Sequence, residues 1–351
     1  MKKESLSFLE NLLGTVSPSG FEGNAAALWK KEVKRFTEEI KIDVHGNCIA
    51  CLNNKKKLKI MIAAHIDEVG FMVKYIDKEG YLYFSAVGGI DPHVVSGQRV
   101  WIETKKGRVL GVIGKKPIHL LESEERKKAF KIEDFWIDIG AENGKDAKSK
   151  IDIGDIAVPA LGLELLTTDK ITARGLDDKA GVFIIGEVLK GVSKKKFNAS
   201  LCAVATVQEE IGLRGARTSA YGISPDIGIA VDVTFASDFP TMDKKKTGDI
   251  RIGAGPVIAR GPNITPKIFN SLIEAAKSEK IPYQIEAVSR STGTDANVIQ
   301  LTRAGVATGL VSIPLRYMHT PVEVVSLKDL ENTSRLIQAF ILKVKGKEFS
   351  I

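Results

Sequence analysis

The sequence predicts an α/β fold split by an all-β insertion, and three observations carry that reading. Apolar strand-like runs alternate with amphipathic helical segments in the N-terminal and C-terminal parts of the chain. Between about Glu68 and Pro159 the alternation gives way to short β-like runs punctuated by glycine and proline. At 351 residues the chain also exceeds what one hydrophobic core usually supports, so two domains are expected. They are residues 1–67 joined with 160–351, and an insertion at 68–159.

The first segment places Leu6, Leu9, Leu12 and Leu13 at helical spacing. Lys2 and Lys3 imitate the front of a signal peptide, but Glu10 and Asn11 interrupt the apolar stretch, so an amphipathic helix is the better reading. SPSGFEG forms a turn, and a second helix is expected from about Asn24 to Glu38. KIDVHGNCIACL reads as one strand and LKIMIAAH as a buried strand ending at His65. Inside the insertion, GFMVKYI, YLYFSAV, QRVWIET, RVLGVIG and FWIDIG read as strands, and only the charged stretch around Glu122 to Ile132 has a helical period. After Leu161 the expected series is GVFIIGEVLKGV as helix, LCAVATV and DIGIAVDV as strands, PKIFNSLIEAAKSEK as helix, GVATGLVSI as strand and LKDLENTSRLIQAFILKV as closing helix.

Composition removes several function classes. Hydrophobic residues make up 44% and charged residues 27%, which suits a globular chain with a real core. No apolar run approaches the roughly 18 to 20 residues that span a bilayer, and the cytoplasm is the expected compartment. The net charge of +8 invites a nucleic-acid partner, but the lysines fall at separate turns, from Lys55–Lys57 to Lys244–Lys246, with acids near several of them. A solvated surface explains them, and no nucleic-acid or membrane partner is expected. Cys48, Cys51 and Cys202 are an odd number with no second pair, so neither a disulfide framework nor a thiolate zinc site is expected.

The chemistry lies where polar groups follow apolar strands. LKIMIAAH ends in His65 with Asp67 two residues on; LCAVATV leads to Glu209 and Glu210; Asp232 stands near the end of DIGIAVDV. The segment after GVATGLVSI reaches His319, and Asp177-Asp178 precede the first helix after the insertion. In open α/β sheets, ligands bind outside the carboxyl ends of the strands. Each group alone has an ordinary explanation: a helix cap, a structural histidine, a solvated acidic turn. Together, two imidazoles and four or more carboxylates at successive strand ends would repel one another without cations. The donor set, with no thiolate, suits zinc, cobalt or manganese, and two such ions can share one carboxylate. In His65-Ile66-Asp67 the spacing lets Asp67 accept the second ring N–H of His65.

The strings AAHIDEVGFMV, ITARGLDDKAGVF, ATVQEEIGLRGA, VDVT, GTDANVIQ and MHTPVEVV resemble the motif series of the glutamyl aminopeptidase and tetrahedral aminopeptidase family, some of whose members carry an endoglucanase label. VGGIDPHVVSGQRV, GVIGKKPIHLL and FWIDIGA extend the likeness through the insertion. The resemblance implies a zinc-peptidase-like central mixed β-sheet flanked by helices, with a barrel-like dimerisation insertion. It implies two divalent ions, one held by His65, Asp177 and Asp232 and the other by Asp177, Glu210 and His319. Asp177 rather than Asp178 is taken as the bridge because the motif places it there. Glu209 would be the general acid/base acting with a metal-bridged hydroxide, and Asp67 the orienter of His65. Arg290, Thr294 and Asp295 would contact substrate. The partners implied are short peptides, trimmed from the N-terminus, and further copies of the chain in a dimer building block or a dodecamer.

Three other readings compete. A carboxypeptidase, dipeptidase or deacylase could use the same scaffold. A glycoside hydrolase needs two carboxylates and no metal, which would leave His65 and His319 without a role. A non-enzymatic assembly or nucleic-acid-binding protein would have no use for the complete set of metal ligands and Glu209. The first-residue preference is not legible in the sequence.

Overall fold

The computed structural model describes residues 1–344. Helix α1 (Lys3–Leu13) buries Phe8, Leu9, Leu12 and Leu13. Helix α2 (Gly23–Val33) buries Ala25, Ala26, Trp29 and Val33, and it ends before the expected Glu38, at the last residue of that apolar face. The expected single strand at 41–52 is a hairpin of β1 (Ile40–Ile42) and β2 (Cys48–Leu52). Asp43 Oδ1 accepts the backbone N–H groups of His45, Gly46 and Asn47, each at 3.0 Å, and Gly46 supplies the positive φ that closes the turn. Strand β3 (Lys59–His65) follows.

The insertion is a closed six-stranded barrel in the order β4-β5-β8-β7-β6-β9. Its strands are β4 (Gly70–Ile76), β5 (Leu82–Val87), β6 (Arg99–Thr104), β7 (Gly107–Gly114), β8 (Trp136–Asp138) and β9 (Ile156–Pro159). Phe71, Phe84, Ile102 and Ile137 fill its separate core. The charged stretch around Glu122 to Ile132 contains only short 3₁₀ turns, because it has no apolar face to bury. The helix of this region is α3 (Gly144–Lys150), capped by Asn143.

The chain then forms β10 (Glu164–Leu165), β11 (Lys170–Ala173), α4 (Leu176–Val192), β12 (Ser200–Thr206), α5 (Arg214–Ile223), β13 (Ile227–Phe235) and α6 (Lys244–Thr247). It ends with β14 (Val257–Arg260), α7 (Pro266–Ser278), β15 (Gln284–Ala287), α8 (Asp295–Gln300), β16 (Ala307–Leu315), β17 (Glu323–Ser326) and α9 (Leu327–Lys343). Eight strands make one mixed sheet, β1-β2-β12-β3-β13-β16-β14-β15, with β12, β3, β13 and β16 mutually parallel. Alternation along β3 sorts the two faces: Ile60, Ile62 and Ala64 join the core with α1, α2, α4, α7 and α9, while Met61 and Ala63 pack with α5 and α8. Among the described residues, no helix is long and apolar enough to cross a membrane.

One expectation is corrected. Cys51 and Cys202, separated by 151 residues, form a disulfide. Antiparallel pairing of β2 with β12 sets them directly opposite each other with Cα atoms 4.2 Å apart, a proximity that only the sheet register creates. Cys48 stays free and buried.

A buried charge cluster joins the two parts of the molecule. Glu68, just past β3, pairs with Arg174 and, at 2.7 Å, with Lys179 of α4, all three nearly inaccessible. The Thr15 carbonyl accepts from both cations, at 3.0 and 2.9 Å. Gly175 lies between them with φ of 63°, and a Cβ there would stand 2.5 Å from Glu68 Oε2. Removing Glu68 would leave two buried cations without a counter-charge. Glu68→Leu should therefore lower unfolding free energy by about 3–5 kcal/mol, read from the denaturant midpoint at unchanged slope.

Candidate metal centre

Parallel strand direction delivers the candidate residues to one edge. His65 ends β3, Asp232 lies near the end of β13, and the loops after β12 and β16 carry Glu209-Glu210 and His319. Asp177 and Asp178 open α4, joined by a cis peptide. His65 and Thr206 are register partners, so the loop after β12 begins beside the imidazole.

Asp177 occupies the middle of the cluster. Its Oδ1 lies 3.1 Å from His65 Nε2 and its Oδ2 3.2 Å from His319 Nε2. Glu210 Oε1 is also 3.2 Å from His319 Nε2, while Glu209 Oε2 and Asp232 Oδ1 each stand 3.9 Å from His65 Nε2. Two sets of ligand atoms converge within 4.8 Å: His65 with Asp177 and Glu210, and His65 with Asp178 and Asp232. Asp178 Oδ1 accepts the Gly181 N–H at 3.0 Å, and its other oxygen is buried without a partner.

The ring nitrogen of His65 that faces away is 3.1 Å from the Asp67 carbonyl and 3.5 Å from the Asp67 carboxylate. That carboxylate serves the neighbouring loop instead, accepting the N–H groups of Glu209 and Glu210 at 3.0 and 3.1 Å and the Ser19 hydroxyl at 2.6 Å. Two positioning groups were missed in the sequence. Glu323 accepts the backbone N–H groups of Asp177 and His319, at 3.1 and 2.9 Å, and it lies within the quoted string MHTPVEVV. The Gly89 carbonyl, from the insertion, is 2.7 Å from His319 Nδ1, and nothing in a Gly-Gly pair announces that contact.

A cleft of about 350 Å³ opens beside the cluster, lined in part by Thr234, Phe235, Glu286, Leu310, Thr294 and Met318. Of the expected substrate contacts, Thr294 lines this cleft. Asp295 is buried beneath it, accepting the Thr206 hydroxyl at 2.6 Å, and Arg290 is exposed on the adjoining loop, outside the lining.

Crowded carboxylates disturb one another's protonation. Burial, with the charges of Asp232, Asp295 and Glu210, pushes Glu209 up to about 10 against the pull of His65. Burial likewise raises Asp178, Asp232 and Glu323. Burial would raise Asp177 too, but hydrogen bonds from His319 and His65 outweigh it and hold this carboxyl below its ordinary range. The Asp177 and Glu210 carboxylates lift His319 to about 11. The cluster thus favours bound protons where cations would serve, and Asp178 Oδ2 is a buried oxygen without a hydrogen-bond partner. Imidazole nitrogens and carboxylate oxygens in this arrangement fit divalent cations.

Residues 46–336 match the M42 glutamyl aminopeptidase family. The chain belongs to that family. A lysyl aminopeptidase from Pyrococcus furiosus is 39% identical over 320 residues, 91% of each chain. Aminopeptidase APDkam598 from Desulfurococcus kamchatkensis superposes with a TM-score of 0.91 at 39% identity, covering 97% of this chain and 95% of that one. The TET1 peptidase of Pyrococcus horikoshii, described as assembling into a tetrahedron or a large octahedral shell, gives 0.87 at 31% identity, covering 97% and 100%. This M42 chain is accordingly a metal-dependent aminopeptidase with a mixed α/β fold and an inserted barrel.

The protonation pattern gives this M42 enzyme a pH signature. A group whose pKa rises on folding contributes stability that is full below its unfolded pKa and is lost as pH climbs toward the folded value, from 4.5 to about 10 for Glu209. His319 acts in the same direction; Asp177 opposes only at acid pH, and Lys179, lowered by burial to about 8, offsets part of the loss above that pH. Chelated protein should therefore melt at a lower temperature at about pH 9 than at about pH 6. Adding a divalent ion should restore more at the higher pH, a comparison that thermal melts in matched buffers check directly.

Proposed function

We propose that this enzyme removes N-terminal residues from short peptides with two divalent ions per chain, zinc or cobalt first and manganese as a further choice. His65, Asp177 and Asp232 would hold one ion, and Asp177, Glu210 and His319 the other. The observation that carries this reading is the position of Asp177, with one oxygen toward each imidazole at 3.1 and 3.2 Å. Asp178 is the supporting neighbour, since its Oδ1 is engaged by the N-terminus of α4.

Bound at this site, such ions supply Lewis acidity toward the scissile carbonyl and lower the pKa of water. Glu209 takes a proton from the attacking water and returns it to the leaving amine. Two features support that role: Glu209 borders the cleft, and among the described residues its side chain has no counter-charge closer than His65 Nε2 at 3.9 Å. Asp67 positions Glu209 and Glu210 through their backbone N–H groups and His65 through its carbonyl.

The domain assignment keeps residues 1–67 and 160–351 as the catalytic unit and 68–159 as a dimerisation unit. Exposed Leu110, Val112, Ile118 and Leu120 in the insertion support association there, and the TET1 likeness supports a larger shell, such as a dodecamer. Relatives are named for lysyl and for glutamyl substrates, so family membership alone does not choose the first residue.

Chelated enzyme should be inactive on amino-acyl anilides and recover with zinc, cobalt or manganese, on free amines but not on N-acetylated controls. Cleavage of the acetylated substrates instead would point to a deacylase or other amide hydrolase. Glu209→Gln should lose about 10²- to 10⁴-fold in kcat while metal analysis still finds both ions. Asp177→Asn should weaken both sites together; if Asp178→Asn alone does so, the bridge is misassigned.

A further inference from the structure

We propose that Glu286 makes this cleft selective for peptides whose first side chain ends in a cation, as lysine and arginine do. The proposal rests on the aminopeptidase reading above and names the substrate class of the same site.

Glu286 lies on β15, in register with Ala259 of β14, and lines the cleft. Thr234, on the face of β13 that also carries Asp232, stands with its hydroxyl 3.0 Å from both Glu286 oxygens. Two residues of strand separate Thr234 from Asp232, about 6.6 Å along the chain. The carboxylate is therefore displaced from the metal cluster by roughly the reach of a long side chain. One hydroxyl gives one hydrogen, whereas a carboxylate has about four acceptor sites, so most of its capacity is unused.

What is missing beside Glu286 is a positive charge. Glu68 has Arg174 and Lys179, and Asp238 has Arg316 at 2.7 Å; Glu323 and Asp329, which pair with no lysine or arginine among the described residues, each accept two backbone N–H groups instead. Among the described residues no lysine, arginine or histidine pairs with Glu286, and Thr234 is its one polar contact. Burial accordingly raises its carboxyl above the ordinary range, a shift that an entering ammonium or guanidinium would reverse. Val288, Leu310 and Met318 line the same cleft and offer apolar surface to the methylene stem that precedes such a charge. An acidic first residue would meet Glu286 with like charge.

The test compares kcat/KM for p-nitroanilides of lysine, arginine, norleucine, leucine and glutamate on the metal-loaded full-length enzyme. Norleucine keeps the lysine stem without its ammonium. Lysine should exceed norleucine by roughly 10- to 100-fold, the size of one charge-assisted contact, and glutamate should be poorest. In Glu286→Gln the lysine-to-norleucine ratio should fall toward one. Norleucine cleaved as fast as lysine by the wild-type enzyme overturns the proposal while leaving the aminopeptidase reading intact, and needs no variant. A ratio that survives in folded Glu286→Gln overturns it as well. Failure on every free amine, with the acetylated controls cleaved, would remove the underlying reading and this proposal with it.

Discussion

Asp177, Asp178, Glu209, Glu210, Asp232 and Glu323 crowd the carboxyl edge of four parallel strands, against two imidazoles. Like charges this close are costly in a low-dielectric interior, and hydrogen bonding relieves only part of that cost. The rest of the structure depends on how this repulsion is contained. Backbone N–H groups meet Glu323 and Asp67, the N-terminus of α4 meets Asp178, and the two histidines meet Asp177. Divalent cations would complete that arrangement, and on the proposed reading stability and catalysis then draw on the same groups.

Containment needs a rigid frame. The opening residues of α4 are held from beneath by the buried pairing of Lys179 and Arg174 with Glu68, which lies only three residues after His65. One cluster therefore ties the end of β3 to the start of α4, the two elements that present His65 and Asp177 to each other. The insertion reaches the site from the other side through the Gly89 carbonyl at His319. The barrel has its own core, yet a backbone atom from it sets the ring orientation of a candidate ligand.

The fold was legible where burial and period coincide. β3, β12, β13 and β16 are apolar runs that end at polar residues, and α7 and α9 carry clear amphipathic stripes. The candidate ligands were legible because strands of one direction put successive polar ends at one edge. Pairing across the sheet was not legible: Cys51 and Cys202 meet only through the β2–β12 register, and Asp43 breaks an apparent strand through a side-chain turn. The same limit separates Thr294 from Asp295. Adjacent in sequence at the start of α8, they differ in exposure because one faces the cleft and the other the Thr206 hydroxyl below. Glu286 carried no signal at all, since a short edge strand with alternating exposure looks like any solvated segment until β14 and β13 are seen beside it.

Glu209 and Glu210 follow one another, yet their carboxylates approach different imidazoles. Strand geometry would send consecutive side chains to opposite faces, but these two lie in a loop, and Gln208 before them takes a positive φ. Asp67 settles the matter by accepting both of their N–H groups, one on each carboxylate oxygen. With the backbone pinned at two successive amides, Glu209 turns toward the His65 side and the cleft, and Glu210 toward His319. A single buried carboxylate thus divides two chemically identical neighbours into a group that borders the cleft and a group aimed at the second imidazole. Placing Asp67 two residues after His65 lets the same strand end orient that histidine through a carbonyl and the acidic pair through a carboxylate. Hence the short H-I-D motif fixes the geometry of both sides of the candidate centre.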